Sequence, residues 1–133
     1  MAGETTTPMR AAEAEALVRA FLGAMEARDL PRARAMLAEG FEMTLPGGRT
    51  MRTLEELVAW AAPRYRFVRK SYDRFDAIPT PEGAVVYCFG GLHGEWPDGR
   101  PFSGIRFIDR FEFRGGRIAG QLVWNDLAEV RGA

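Results

Sequence analysis

Asp109 is the residue best placed by its neighbours to do chemistry. It stands in Ile105-Arg-Phe-Ile-Asp109-Arg-Phe-Glu-Phe113. Side chains alternate along a strand, so this carboxyl shares a face with Ile105, Phe107, Phe111 and Phe113. Aspartate is depleted in strand interiors. A carboxyl among four large apolar side chains needs a partner or a raised pKa. With a partner it is a satisfied core acid; without one it is a general acid or a hydrogen-bond donor in a ligand cavity. Both readings stand on the residues alone.

Three further groups bear on the choice. His93, in Gly91-Leu-His-Gly94, is the single histidine and titrates close enough to neutrality to shuttle protons; a lone histidine near a hairpin end also suits a rim or surface position. Trp124 ends the last strand pattern in Trp124-Asn-Asp126. Counting back through Leu122, Gly120 and Ile118 puts it on the inward face, where the indole N–H can donate to Asp109 or to a ligand, or simply fill the core. Asn125 and Asp126 fit backbone bonds that fix the C-terminal segment. Tyr87 shares a face with Val85 and Phe89 and suits either cavity or core. Trp60, Tyr65, Tyr72 and Trp96 are candidates for the mouth. Cys88 has no basic neighbour in sequence and reads as a small buried hydrophobe.

Composition narrows the classes. The 133 residues fit one domain. A 47% hydrophobic and 11% aromatic content supports a core. Eighteen basic and eighteen acidic residues cancel, so no general attraction for nucleic acid or anionic lipid is expected. Only Lys70 among the basic residues is lysine; the arginine excess reads as genomic composition rather than phosphate recognition. One cysteine allows no internal disulfide. One thiol and one imidazole argue against a structural zinc site, and a catalytic one would need mainly carboxylates. Neither a signal peptide nor a run of the ~20 apolar residues of a membrane helix is found. The expectation is a soluble cytoplasmic protein without metal or other cofactor.

The elements that must position these groups follow from periodicity. Residues 1–8 read as a flexible tail and 129–133 as a C-terminal tail, with one domain over 9–128. Thr7-Pro8 resembles a helix start, and Ala14, Leu17, Val18, Phe21, Leu22 and Met25 recur at helical spacing over about 9–28. Asp29 can cap a second, short helix with Ala33, Met36 and Leu37 on its apolar side and Gly40 as a left-handed stop. Phe41–Leu45 reads as a short strand. Thr53-Leu-Glu-Glu56 fits a capping box before a third helix, which Pro63 either bends or ends. Beyond Arg66 the period becomes two, with strands at about 67–78, 84–96, 101–114 and 117–127 joined by Pro/Gly-rich hairpin turns. Helices first and strands later make an α+β domain. Long strands curl, and Gly90, Gly91, Gly94 and Gly104 mark bends or bulges. A cone-shaped, curved antiparallel sheet with three N-terminal-half helices on its concave side would enclose an apolar hollow of the kind that binds small molecules.

This order resembles the NTF2-like cone, a cystatin-like α+β roll, in its SnoaL-like and ketosteroid-isomerase-like branch. The resemblance spans about 9–128. It is carried by Val18-Arg-Ala-Phe-Leu22, Ala27-Arg-Asp-Leu30, Phe41-Glu-Met, Asp109-Arg-Phe-Glu-Phe113, Gly116-Arg-Ile118 and Trp124-Asn-Asp-Leu127. Such a fold hosts many activities. The isomerase site pairs a carboxylate base with a tyrosine and a protonated aspartic acid, the last being a known case of a carboxyl kept neutral by apolar surroundings. Asp109 matches that aspartic acid. Phe21 stands where the tyrosine belongs and Leu45 where the base belongs, so ordinary ketosteroid isomerisation is not expected. An epoxide-hydrolase-like Arg-x-Asp pair is not matched either, since Arg106 lies three residues before Asp109 on the other face and the last strand offers Val123 or a neighbour. A SnoaL-like cyclase or dehydratase needs an acid/base pair deep in the cavity, with Asp109 one member and His93 or Asp126 the other.

The resemblance therefore implies a small-molecule-binding protein for an apolar, carbonyl-bearing compound, with cofactor-free isomerase, cyclase or dehydratase chemistry, or else a non-catalytic binding or dimeric interaction domain. Trp124, Tyr87, Phe107, Phe111, Trp60, Phe21 and Leu45 are the expected lining. Arg106, Ile108, Arg110 and Glu112 alternate outward and suit a solvated or dimer-facing outer surface; the resemblance implies a homodimer.

Overall fold

The computed structural model describes residues 7–131; the remainder of the expected N-terminal tail and the last two residues lie outside them. Helix α1 runs Ala11–Glu26 and buries Ala14, Val18, Phe21, Leu22 and Met25, one stripe at helical spacing. It starts later than Thr7-Pro8 suggests, because Met9 is buried and its N–H donates to the Gly83 carbonyl at 2.9 Å. It ends at Arg28, whose φ of 58° is left-handed, with the Asp29 N–H bonding back to the Ala24 carbonyl at 2.8 Å. Asp29 caps α2 (Leu30–Arg34) as expected. That helix stops before Met36 and Leu37. Instead of continuing it, Leu37 opens strand β1 (Leu37–Thr44), and Gly40, with φ 83°, sits inside the strand at a register shift.

A two-residue strand β2 (Thr50–Met51) returns beside β1. Helix α3 (Leu54–Ala61) starts at the expected capping box: Thr53 Oγ1 accepts from the Glu56 N–H at 3.1 Å, and the Glu56 carboxylate accepts from the Thr53 N–H at 3.0 Å. Four long strands follow, β3 (Phe67–Thr80), β4 (Gly83–Glu95), β5 (Pro101–Arg114) and β6 (Arg117–Asn125). The chain closes with α4 (Leu127–Arg131), where a tail was expected.

The six strands form one sheet ordered β2-β1-β6-β5-β4-β3. The β3–β6 meander is antiparallel, while β1 joins β6 in parallel, so the sheet is mixed. Register shifts fall between Tyr72 and Arg74, between Leu92 and Gly94, and between Glu112 and Phe113. The first two lie beside Gly90 and Gly94. There strands approach so closely that a Cβ on Gly94 would stand 2.0 Å from the Phe67 carbonyl oxygen, so only glycine lets the sheet bend. The inward row of β5 is Ile105, Phe107, Asp109, Phe111 and Phe113, all buried. It faces α1, and this core continues through Val86, Cys88 and Ile118. The resulting α+β roll, with three helices from the N-terminal half against a curved sheet, has the expected architecture. Among the described residues no helix is long and apolar enough to cross a membrane.

Candidate functional site

Between the sheet and α1, α3 and α4 lies a cavity of about 460 Å³, within the size range of small-molecule sites. Phe21, Leu22 and Met25 wall it from α1, Met43 and Leu45 from β1, Leu57 and Trp60 from α3, and Val68, Leu92, Phe107 and Val123 from the other strands. The polar groups at its floor are Asp109 on β5, Lys70 on β3 and Gln121 on β6.

Asp109 is completely buried. Neither of its carboxyl oxygens has a hydrogen-bond partner in the protein, and the Gln121 Oε1 is likewise unmatched. Lys70 Nζ approaches Asp109 Oδ2 at 3.7 Å, beyond hydrogen-bond length but within ion-pair range, with its side chain 22% exposed. The same ammonium lies 5.2 Å from the Phe107 ring centroid, a cation–π distance. Burial pushes the Asp109 pKa up. Lys70 charge and the Gln121 amide pull it back without cancelling the rise. Cys88 stands directly across the ladder from Asp109. Burial first, and then the Asp109 charge, push its thiol up to about 12, so it is a proton-holding core group and not a nucleophile.

The structure divides the expected site residues. Asp109, Phe107, Trp60, Phe21 and Leu45 line the cavity. Phe111 does not; it is fully buried, packed edge-on against Phe21 at 6.0 Å. Trp124 is 51% exposed on the outer face. The bulge at Ala119 shifts the register of β6, so Val123 rather than Trp124 stands opposite Asp109 and Gln121 turns inward. Tyr87 also faces out, opposite Arg110, and its hydroxyl accepts from the Arg110 guanidinium at 3.3 Å. His93 alternates with the inward-facing Leu92 and Gly94, pairs with Arg69 and does not line the cavity. Asp126 is taken by Arg106 at 2.6 Å on the outer side. Neither His93 nor Asp126 can therefore be the second member of an acid/base pair with Asp109.

Lys70 is the charged side chain that stands beside Asp109 instead. Its signal in the sequence was its singularity as a lysine and its place at alternate spacing with Val68 and Tyr72. The partner it reaches is set by the pairing of β3 with β4 and β4 with β5, which puts Lys70 and Asp109 on the same face of the sheet with the β4 row between them. Asn125, by contrast, both lines the cavity and accepts from the Leu127 N–H at 3.1 Å, so it starts α4 as its type suggested. The arrangement amounts to a carboxyl of raised pKa and an ammonium at the base of an apolar chamber. It can exchange a proton with a bound molecule and stabilise negative charge on an adjacent oxygen.

Comparison with known proteins agrees with this architecture. No curated protein matches the chain by sequence. Among solved structures, an NTF2-like protein of unknown function from Burkholderia pseudomallei superposes with a TM-score of 0.74 at 24% identity, covering 89% of this chain and 94% of that one. TerC, co-crystallised with polyporic acid, gives 0.76 at 16% identity over 90% and 96%. A putative SnoaL-like polyketide cyclase from Jannaschia sp. CCS1 gives 0.72 at 19% identity over 98% and 96%. At these identities the likeness is one of fold. The SnoaL-like domain family matches residues 18–121, a span that runs from α1 to Gln121 and contains both Lys70 and Asp109, and the chain belongs to that family.

Proposed function

We propose that this protein binds an apolar, carbonyl-bearing small molecule in the cone and performs cofactor-independent acid/base chemistry on it, of the isomerase, cyclase or dehydratase kind. The observation that carries the reading is Asp109. It is fully buried at the floor of an apolar cavity, without a hydrogen-bond partner, and 3.7 Å from the single lysine. Buried polar groups are almost always satisfied, and an exception calls for a functional reason. In this reading Asp109 takes the proton from carbon next to the carbonyl and returns it elsewhere on the molecule. Lys70 and the Gln121 amide face the oxygen on which the enolate charge develops. The raised pKa of Asp109 brings its proton affinity nearer that of its task. The polyketide cyclase description of the Jannaschia protein is compatible with such a step.

The outer sheet face belongs to the same reading. Ile108, Trp124 and Ile78 are exposed there, beside the stacked Tyr87 and Phe89 rings, and a second copy of the chain in a cytoplasmic homodimer would cover them.

The proton-transfer step is testable without the natural substrate. 2-Tetralone, an apolar cyclic ketone, exchanges its α-protons for deuterium in heavy water, and NMR follows the rate. The protein is expected to accelerate exchange, and Asp109→Asn to lower that acceleration by about a hundredfold or more. Exchange at the buffer rate with the ketone bound would favour the second reading, a non-catalytic binder, which Phe21 and Leu45 at the isomerase tyrosine and base positions also suit.

A further inference from the structure

The mouth of the cavity carries charge that the proton-transfer reading leaves unused. Four arginines line it: Arg28 just beyond α1, Arg49 in the β1–β2 turn, Arg64 just beyond α3 and Arg131 in α4. None has a carboxylate within salt-bridge distance among the described residues. Eight arginines elsewhere, Arg19, Arg34, Arg52, Arg66, Arg74, Arg100, Arg106 and Arg110, are each paired to an acid. The chain as a whole is neutral, so four such arginines around one cavity are a local concentration of positive charge. The acids lining the cavity are Glu26 and Asp109. Glu26 accepts the backbone N–H of Lys70 at 3.0 Å, and Asp109 lies at the floor.

Two of these arginines converge on a third group. Tyr65 lines the same cavity. Burial raises the Tyr65 pKa, while Arg28 and then Arg64, both near the phenol, pull it down. The Arg64 guanidinium lies 4.1 Å from the Trp60 ring centroid, a cation–π distance. Both arginines also bond a carbonyl at a helix end, Arg28 to Met25 and Arg64 to Trp60, each at 2.7 Å. Those bonds use one of five N–H donors apiece. Arg28 holds its place with a φ of 58°, where glycine is the common residue.

We infer that Arg28, Arg64 and Tyr65 form an oxyanion-binding station at the cavity mouth, and that the ligand is an amphipathic anion. Its carboxylate or equivalent oxyanion sits against this station, and its apolar body runs inward past Trp60 and Phe107 towards Asp109. The inference rests on the small-molecule reading of the cavity and deepens it by adding a charge to the ligand. Guanidinium groups bind carboxylates by paired, charge-assisted hydrogen bonds, and Arg49 and Arg131 add longer-range attraction that salt screens.

The test compares 2-naphthoate with methyl 2-naphthoate by calorimetric titration. The two probes differ by one negative charge on the same ring. The carboxylate is expected to bind about tenfold or more tightly at low salt, with the preference shrinking as salt rises. Arg28→Gly combined with Arg64→Gln is expected to bring the two affinities together by weakening the carboxylate alone. Glycine suits the left-handed backbone at position 28, so Arg28→Gly on its own, expected to give part of the loss, keeps the result readable if the pair destabilises the fold. Equal binding of the two probes, or a preference that survives in the variants, would overturn the station and leave the cavity reading intact. Failure of both probes to bind would overturn the cavity reading along with it.

Discussion

At the residue scale the site turns on how burial acts on one carboxyl. Asp109 pays no hydrogen-bonded compensation in the protein, and its pKa is raised by burial against the pull of Lys70. The consequence for stability has a definite sign. Between the ordinary carboxylate range of the unfolded chain and the raised native value, the folded protein binds more protons than the unfolded one, so stability falls as pH rises through that window. Asp109→Asn removes the titration. We expect its melting temperature to exceed that of the wild type at pH 8 and to converge on it at pH 4, measured by calorimetry across that range. A wild type that gains stability with pH while the variant stays flat would mean that Asp109 is a paired carboxylate of lowered pKa. Lys70 stands out in the sequence only as the single lysine; nothing local says that its Nζ reaches Asp109, which follows from two strand pairings.

At the scale of elements the cavity exists because the sheet bends. Gly94 and Gly90 sit where a neighbouring strand crosses so closely that a Cβ would stand 2.0 and 1.9 Å from a backbone carbonyl oxygen. Backbone cannot yield as a flexible side chain can. Gly94→Ala is therefore expected to cost about 3 kcal/mol or more, read as a lower denaturation midpoint, and a loss no larger than that of an ordinary exposed strand position would refute the close approach. These glycines were recognisable as bends from their placement in long strands. The bulge at Ala119 was not. Sequence alternation through Ile118, Gly120, Leu122 and Trp124 is regular, and only the extra residue opposite Glu112 and Phe113 reverses which side chains point inward.

At the scale of the molecule, Trp124, Ile108 and the Tyr87–Phe89 pair make the outer face of the sheet more apolar than a solvated surface requires. Light scattering at micromolar concentration is expected to give twice the mass of one chain, and Trp124→Glu to halve it without changing ketone binding, since Trp124 does not line the cavity. A monomeric wild type would refute the homodimer. Charge is also uneven at this scale: a neutral chain sets four arginines around one cavity, a clustering that composition averages away.

What the amino-acid sequence determined by itself was whatever depends on neighbours along the chain. The helical stripe ending at Met25, the Thr53–Glu56 capping box, the hairpin order and the inward row from Ile105 to Phe113 are local patterns, and the fold and the burial of Asp109 follow from them. Tertiary structure decided what depends on pairing across the sheet. It turned Trp124, Tyr87 and His93 outward and brought Gln121 and Val123 in. It also set Lys70 against Asp109 and gathered Arg28, Arg64 and Tyr65 from two helix ends. A one-residue shift in register exchanges the two faces of a strand, and no local preference of Ala119 announces which strand will carry the extra residue.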